Sequence, residues 1–232
     1  MGKAGDSLPI FVVYNIPHRD CGGLSAGKGG AATPEVYKSW ITGISRGLGG
    51  RQAIIILEPD TLGQMVTPDC PLTPQEKTDR ISLLQFTIDE LTKSGGHVYV
   101  ETSMWPGAAN MARQLQMVGR FGKMAGVSIG ASGYVPIDQE VNFFNQLAGE
   151  LKLPQPLHGV IETSRNGGKV AAGAWCNPVG AKIGPLPTIN SGLPEIDALL
   201  WEKNPLESDG TCNSGPPAGQ PWVSRAKEMV NP

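Results

Sequence analysis

Runs of apolar residues of strand length alternate along the chain with longer segments whose apolar residues recur at helical spacing. Residues 54–57 read Ile-Ile-Ile-Leu without a polar interruption, which is typical of a strand covered by side chains on both faces. Continuous strands of this kind favour a parallel sheet wrapped in helices. Six strands are predicted, at residues 9–14, 53–57, 97–101, 126–131, 157–162 and 198–202.

Four helices are predicted between the strands, and three of them have recognisable start signals. Thr33 can act as the N-cap of the first helix, and Pro34 fits its first turn. Residues 73–76, Thr-Pro-Gln-Glu, form a capping box that predicts the start of the second. The third begins at Pro106, and the fourth covers residues 137–151. The alternation of strands and helices indicates an α/β fold, either a β/α barrel or an open sheet.

The composition is that of a globular protein with many loops. The 232 residues include 19 Lys and Arg against 21 Asp and Glu, and 31 Gly with 20 Pro. No apolar run approaches the roughly 18–20 residues that a membrane helix requires, and no basic stripe favours a nucleic-acid partner. The sequence becomes loop-rich from about Gly167 onward, which suits long loops over the end of a barrel.

Cysteine usage favours two disulfides over four buried thiols, and disulfides imply an oxidising compartment. The cysteines are widely spaced, contain no C-x-x-C pair and leave three pairings open. The three histidines are too scattered for a zinc site, so no metal is expected. The first residues lack the apolar core of a signal peptide, so the leader of a secreted form would have been removed or would lie outside this sequence. The cysteines are Cys21, Cys70, Cys176 and Cys212.

Acidic residues follow nearly every predicted strand. In β/α folds the loops after the carboxyl ends of the strands build the active site, so these acids are expected to share one rim. Crowded carboxylates repel one another unless their pKa values separate, and a glycosidase requires one protonated and one ionised carboxyl. Trp105 and Trp175 lie in the same loops and could stack on sugar rings. The acids are Asp20, Glu58, Asp60, Glu101, Glu162, Glu207 and Asp209.

Five sequence blocks, in order, resemble those of one enzyme family. They read VVYNIPHRDCGG at residues 12–23, ILEPDTL at 56–62, TSRNG at 163–167, WCNP at 175–178 and ESDGTC at 207–212. From about residue 9 to its end, the chain is similar to glycoside hydrolase family 6, the inverting endoglucanases and cellobiohydrolases that cut β-1,4-glucan. It looks more like the bacterial-type members with short loops than like the tunnel-forming fungal exo-enzymes.

The resemblance implies a distorted parallel β/α barrel, similar to a TIM barrel but incomplete, with six to seven strands and the active site at their carboxyl ends. Residues 1–232 would form a single catalytic domain, with residues 1–8 as a disordered or non-native start. By the same resemblance, the family's first strand and helix, upstream of residue 9, are expected to be absent. The implied disulfides are Cys21–Cys70 and Cys176–Cys212, each tying down a loop that carries a catalytic aspartate.

Three aspartates are implied in catalysis by the resemblance. Asp60 would be the general acid that protonates the glycosidic oxygen, so its pKa must be raised by burial and by neighbouring carboxylates. Asp20 would lie beside it, raising that pKa and helping to order the attacking water. Asp209 would be the base, acting through a water chain, or the carboxylate that stabilises positive charge at the anomeric carbon.

Further positions are implied in substrate binding. Tyr14 would press on the distorted sugar at the cleavage subsite, and Ser25 would lie on a mobile loop that helps to hold the water. Lys203 and Glu207 would hydrogen-bond sugar hydroxyls, and Trp175 would stack on a ring. The complete set is Tyr14, Ser25, Glu101, Trp105, Trp175, Asn177, Lys203 and Glu207.

The chain departs from the family pattern at several positions. Residues 99–105, Tyr-Val-Glu-Thr-Ser-Met-Trp, have Glu101 where the family has Asp, lack its His or Asn, and are shorter by two residues. Residues 130–134 lack two amide side chains of the family pattern, and Glu162 replaces an Asp. Both glutamates could equally be acids at strand ends without a catalytic role. The changes imply a weaker or shifted substrate preference, or a truncated barrel of reduced stability.

Simpler structural roles are open for the catalytic candidates. Asp60 could cap a helix, Asp20 could pair with Arg19 at the surface, and Asp209 could be a turn residue before Gly210. Core positions are expected for Trp40, Trp201 and Trp222, and structural or solvated ones for His18, His97 and His158.

The sequence therefore predicts a hydrolase that cleaves β-1,4-glucosidic bonds in cellulose or related β-glucans with inversion, and endo action is expected. The alternative is a non-catalytic or weakly active glucan-binding protein on the same scaffold, and mixed-linkage glucan is a further candidate substrate. The expected partner is a β-1,4-glucan or cello-oligosaccharide, with no nucleic acid, membrane, metal or cofactor. The protein is expected to be an extracellular monomer.

Overall fold

Six parallel strands form one sheet in the computed structural model, which describes residues 7–23 and 29–230. Each strand pairs with the next one along the chain, so the order in the sheet equals the order in the sequence. The six predicted strands are confirmed. They are β1 (Ile10–Val13), β2 (Ala53–Leu57), β3 (Gly96–Thr102), β4 (Gly126–Ile129), β5 (Gly159–Glu162) and β6 (Ile196–Leu200).

Helices connect the strands, and the four helices predicted from the sequence are confirmed. Those of the described residues are α1 (Pro34–Leu48), α2 (Thr61–Gln64), α3 (Pro74–Lys93), α4 (Ala108–Val118), α5 (Ile137–Leu151) and α6 (Val223–Val230). The sequence did not predict α2, because four residues are too few to show a helical period, or α6, which lies in the loop-rich segment. None of these helices is both long and apolar enough to span a membrane.

The start signals of α1 and α3 act as the sequence indicates. The Thr33 hydroxyl accepts a hydrogen bond from the backbone N–H of Val36, and Pro34 occupies the first turn. At α3, Thr73 and Glu76 form both bonds of the capping box. These caps satisfy backbone donors that a helix start leaves free.

The sheet is curled, with a small apolar cluster on its inner face and the helices packed on its outer face. Along β2, Ile54 and Ile56 face inward, whereas Ile55 and Leu57 join the helix-covered core. Among the strands of the described residues, β1 pairs only with β2 and β6 only with β5, so the sheet does not close on itself. Outside these strands, Thr188 forms an isolated antiparallel bridge with Leu199 of β6. The fold is the distorted, incomplete α/β barrel that the sequence predicts.

The prediction that Trp40 is a core residue is wrong. Its side chain is 37% exposed, whereas Tyr37 and Ile41 on the same helix are fully buried. A residue next to Ile41 is rotated by about 100° around the helix axis, because a turn contains 3.6 residues. Trp40 therefore lies at the margin of the buried stripe, with its ring centroid 6.0 Å from that of Tyr37. Trp201 and Trp222 are half-buried.

Candidate active site

A tight turn after β2 places Asp60 at the carboxyl end of the sheet. Glu58 and Asp60 both have left-handed backbone conformations, with φ of 51° and 64°, which persist where the surroundings hold them. Hydrogen bonds of Glu58 stabilise this turn. Its carboxyl group accepts them from the backbone N–H groups of Asn15 and Ile16 and from the Tyr37 hydroxyl. These bonds join the end of β2 to the loop after β1.

The carboxyl group of Asp60 keeps its proton to a higher pH than an ordinary aspartate does. Burial and, after it, the negative charge of Asp20 raise the pKa of Asp60 from 3.8 to about 6. Asp60 stands at the N-cap position of α2, but its side chain makes no capping bond. Gly23 makes room for Asp20, because an added Cβ there would lie 2.7 Å from Oδ2 of Asp20. The alternative role of Asp60 as a helix cap is not supported, because its side chain makes no capping hydrogen bond.

Glu101, at the end of β3, supports the backbone of Asp60. Its Oε2 accepts a 2.7 Å hydrogen bond from the backbone N–H of Asp60, and Ser103 Oγ donates to the same oxygen at 3.3 Å. Only 2% of Glu101 is exposed, and burial together with the charge of Asp60 raises its pKa well above the usual range. The carboxyl thus faces Asp60 rather than open solvent, which differs from the sugar-binding role expected from the sequence.

Asp209 lies in the loop after β6 and is held by several donors. Arg165 Nη1 donates to Oδ1 at 2.7 Å, and the Tyr134 hydroxyl donates to Oδ2 at 2.6 Å. The guanidinium of Arg165 also lies 4.1 Å from the centre of the Tyr134 ring. Lys203 Nζ is 4.0 Å from Oδ1. The carboxylate is therefore part of a buried ionic network, which goes beyond the turn role open to it in the sequence.

Asn177 belongs to the same network. It is 4% exposed, and its backbone N–H donates to Asp209 Oδ2 at 3.0 Å. Its side-chain amide donates to Gly210 O at 2.7 Å and to Ser208 Oγ at 3.1 Å. The sequence assigns Asn177 to substrate binding, but its amide is directed into the protein.

The remaining predicted substrate-binding residues lie in the loops beyond the carboxyl ends of the strands. Trp105 is 56% exposed and Trp175 is 63% exposed, so both indoles are open for stacking. The Tyr14 hydroxyl is buried without a hydrogen-bond partner, and burial together with the charge of Asp60 raises its pKa. Lys203 and Glu207 form a contact of 4.0 Å between Nζ and Oε2. Ser25 lies outside the described residues.

Both disulfides that the family resemblance implies are confirmed. Cys21 is bonded to Cys70 and Cys176 to Cys212, at sequence separations of 49 and 36. The first bond anchors the turn that carries Asp20, and the second anchors the loop after Asp209.

Three glutamates near the site interact with one another, and two of them, Glu140 and Glu202, received no role from the sequence. Ser128 Oγ on β4 donates to both carboxylate oxygens of Glu202, at 2.7 and 2.8 Å. The backbone N–H of Glu202 donates to Glu162 at 2.5 Å. Burial, as the main cause, raises the pKa values of Glu140, Glu162 and Glu202. The position of Glu202 directly after β6 was the available signal, but it was counted as part of the strand.

The family of this chain is known from its similarity to other proteins. The family described as Glycosyl hydrolases family 6 matches residues 2–231. The chain belongs to glycosyl hydrolase family 6. Endoglucanase A of Cellulomonas fimi is 37% identical over 98% of this chain, and Endoglucanase 1 of Streptomyces halstedii is 38% identical over 97%. The chain spans 48% of the length of the first relative and 70% of the second.

A solved structure supports both the family and the fold. The endoglucanase Cel6 from Mycobacterium tuberculosis, in complex with methyl-cellobiosyl-4-deoxy-4-thio-β-D-cellobioside, has a TM-score of 0.87 and 38% sequence identity. The match covers 97% of this chain and 75% of the Cel6 chain. In this family 6 chain, each of the five sequence blocks contributes at least one site residue, among them Asp20, Asp60, Arg165, Asn177 and Asp209.

Proposed function

We propose that the chain hydrolyses β-1,4-glucosidic bonds in cellulose and cello-oligosaccharides as an inverting, endo-acting enzyme, with residues 1–232 as one catalytic domain. The observation that carries this proposal is the buried carboxyl of Asp60, whose pKa is raised to about 6 by burial and by Asp20. A carboxyl with this pKa is protonated in about half of the molecules at pH 6 and in about a tenth of them at pH 7, far more than an ordinary aspartate. It can therefore give its proton to the leaving glycosidic oxygen.

Asp209 serves the anomeric side of the reaction. Its two oxygens accept hydrogen bonds from Arg165, Tyr134 and Asn177, so the carboxylate is held in one orientation. A fixed negative charge of this kind stabilises the positive charge that develops on the sugar ring. Because its oxygens are already engaged, Asp209 acts on the attacking water through a second water, and Asp20 helps to order that water.

The exposed aromatic side chains bind the glucan. The indoles of Trp105 and Trp175 offer flat faces to pyranose rings, and aromatic faces bury a large apolar area when they stack. The Lys203–Glu207 pair supplies polar contacts to sugar hydroxyls, and Tyr14 presses on the distorted sugar at the cleavage subsite. Ser25 helps to hold the attacking water.

The relatives support this proposal, since the bacterial ones named above are endoglucanases and the Cel6 structure carries a cellobiose derivative. The two disulfides favour an extracellular location, where such bonds persist. We also propose that the enzyme works as a monomer and needs no cofactor, because the acid and the carboxylates of the reaction are all side chains.

The test is the release of reducing ends from carboxymethylcellulose and from a soluble mixed-linkage glucan, with NMR detection of the product anomer. The wild type is expected to produce the α-anomer first, because inversion of a β-glucoside gives an α product. Asp60→Ala is expected to abolish release. Asp79→Ala is the matched control, since Asp79 is a half-buried acid on α3 whose side chain accepts a hydrogen bond from Gln75.

Retention as the stereochemical outcome would contradict the inverting mechanism, and full activity of Asp60→Ala would contradict the assigned acid. A folded wild type that binds cellotetraose without cleaving any glucan would refute the proposed hydrolysis and support the glucan-binding alternative.

A further inference from the structure

We infer that Asn177 is a positioning residue, which holds Asp209 in the orientation required for hydrolysis. This inference rests on the proposed function, because it presumes that Asp209 takes part in the reaction. It also changes the role of Asn177 from a contact with the sugar to a support inside the protein.

Asn177 and Asp209 bind each other in both directions. The backbone N–H of Asn177 donates to Asp209 Oδ2 at 3.0 Å, and the backbone N–H of Asp209 donates to Asn177 Oδ1 at 2.9 Å. The first bond fixes the side-chain rotamer of Asp209, and the second fixes its backbone. Neither Arg165 nor Tyr134 fixes the backbone of Asp209, since both bind this residue only through its carboxylate.

The amide nitrogen of Asn177 secures the rest of the loop. Its Nδ2 donates to the backbone oxygens of Gly210 and Cys212, at 2.7 and 3.1 Å, and to Ser208 Oγ at 3.1 Å. Ser208 is 1% exposed, so these bonds lie away from solvent. The side chain at position 177 must therefore accept a hydrogen bond at one atom and donate hydrogen bonds from another. An amide does both, whereas a carboxylate only accepts and an apolar group does neither.

The backbone around Asn177 is also suited to this role. Its φ is 46°, a left-handed value that asparagine tolerates better than most residues. The preceding Cys176 is disulfide-bonded to Cys212 in the Asp209 loop. The two segments are therefore joined covalently at one point and by the Asn177 hydrogen bonds next to it.

The experiment compares Asn177→Gly with Asn213→Gly. Glycine accepts the left-handed backbone and keeps the N–H of residue 177, so only the side-chain bonds are removed. Asn213 is the matched control, because it has φ of 48° and donates to the backbone oxygens of Cys176 and Asn177. It is exposed, and these bonds do not reach Asp209. Thermal unfolding of each variant reports its stability.

Asn177→Gly is expected to lower kcat by about 100-fold, with KM changed by less than about threefold, because small displacements of a catalytic group cost rate more than affinity. Asn213→Gly is expected to keep kcat within about twofold of the wild type. In an Asp209→Ala background, Asn177→Gly is expected to cause no further loss, since two residues that act as a unit are not additive.

A readout without turnover separates this inference from the proposed function. The Asp209 amide is expected to exchange slowly with solvent in the wild type and at least about tenfold faster in Asn177→Gly, because its acceptor is lost. Equal kcat in both glycine variants, or additive losses with Asp209→Ala, would overturn the inference in an active enzyme. A wild type that releases no sugar, although its Asp209 amide is protected by Asn177, would overturn the proposed function and with it the catalytic role of Asn177.

Discussion

The backbone N–H of Asp60 donates a 2.7 Å hydrogen bond to the carboxyl group of Glu101. This bond connects the turn after β2 to the end of β3, at a residue whose φ of 64° would be costly without support. The general acid proposed for the reaction is thus positioned by a second acid, which is itself almost fully buried.

Two substitutions of Glu101 should therefore have different effects. Glu101→Gln keeps an oxygen that can accept from the Asp60 N–H, and the raised pKa of Glu101 means that a neutral side chain resembles its native state. We expect kcat to stay within about threefold of the wild type. Glu101→Ala removes the acceptor and should lower kcat by about 100-fold, because Asp60 loses its position. Steady-state kinetics on cello-oligosaccharides measure both values, and a larger loss in Glu101→Gln than in Glu101→Ala would contradict the assigned support.

The pH dependence of activity should report the titration of Asp60. An acid catalyst works only in its protonated form, so kcat/KM should fall as the pH rises above about 6, and by tenfold per pH unit well beyond that value. The charge of Asp20 raises the pKa of Asp60, and Asp20→Asn should therefore shift this fall to lower pH. A pH–rate profile of both proteins provides the measurement. An alkaline limb that does not move in Asp20→Asn would show that the two carboxyls are not coupled.

The free energy of unfolding should depend on Glu58. Burial raises the pKa of Glu58 from 4.5 to about 7, so the folded protein holds a proton that the unfolded chain has released. The contribution of this proton to the free energy of unfolding is fully present below pH 4.5 and is lost as the pH rises toward and through 7. At about 1.4 kcal/mol per pH unit, the change across this interval is about 3 kcal/mol.

Urea unfolding at a series of pH values tests this dependence. Glu58→Gln does not titrate, so its unfolding free energy should fall less steeply between pH 4.5 and 7 than that of the wild type. Parallel curves for the two proteins would show that Glu58 does not change its protonation in this range.

Removal of Arg165 should be far more costly than removal of a surface arginine. Arg165 is 1% exposed and paired with Asp209, whose side chain is 9% exposed, so Arg165→Met leaves a buried carboxylate without its main partner. We expect a loss of about 3–5 kcal/mol in the free energy of unfolding. The matched control is Arg120→Met, which breaks a more exposed pair with Asp89 and should cost less than about 1 kcal/mol. Urea denaturation measures both, and equal losses would argue against the buried network.

Much of the scaffold could be predicted from local sequence patterns. The uninterrupted Ile54–Leu57 run marks β2, and the residues chosen for α5, 137–151, are those that the structure gives. The four-residue helix α2 could not be predicted, because it is held by the turn after β2 and not by an apolar stripe of its own. Trp40 was misassigned since its spacing fits a helix face whose width the sequence does not define.

The candidate site was predictable in its location but not in its internal contacts. Parallel strands bring their carboxyl ends together, so the order of the strands places Asp60 and Asp209 at one edge. Which way a side chain points from the end of a strand depends on how strongly the sheet curls. In the sequence, Glu101 and Asn177 could not be distinguished from residues that face solvent. In the folded chain, both side chains are directed into the protein.

Because the six strands run in the same direction, their amino ends lie on the side of the sheet opposite to Asp60 and Asp209. This side is suited for attaching the protein to a support. The loops before each strand lie on that side, and Gln155, between α5 and β5, is exposed there. All four native cysteines are paired in disulfides, so Gln155→Cys would introduce a single reactive thiol. Coupling through this thiol would immobilise the protein on a solid support with Asp60 and Asp209 turned outward, toward an insoluble polymer.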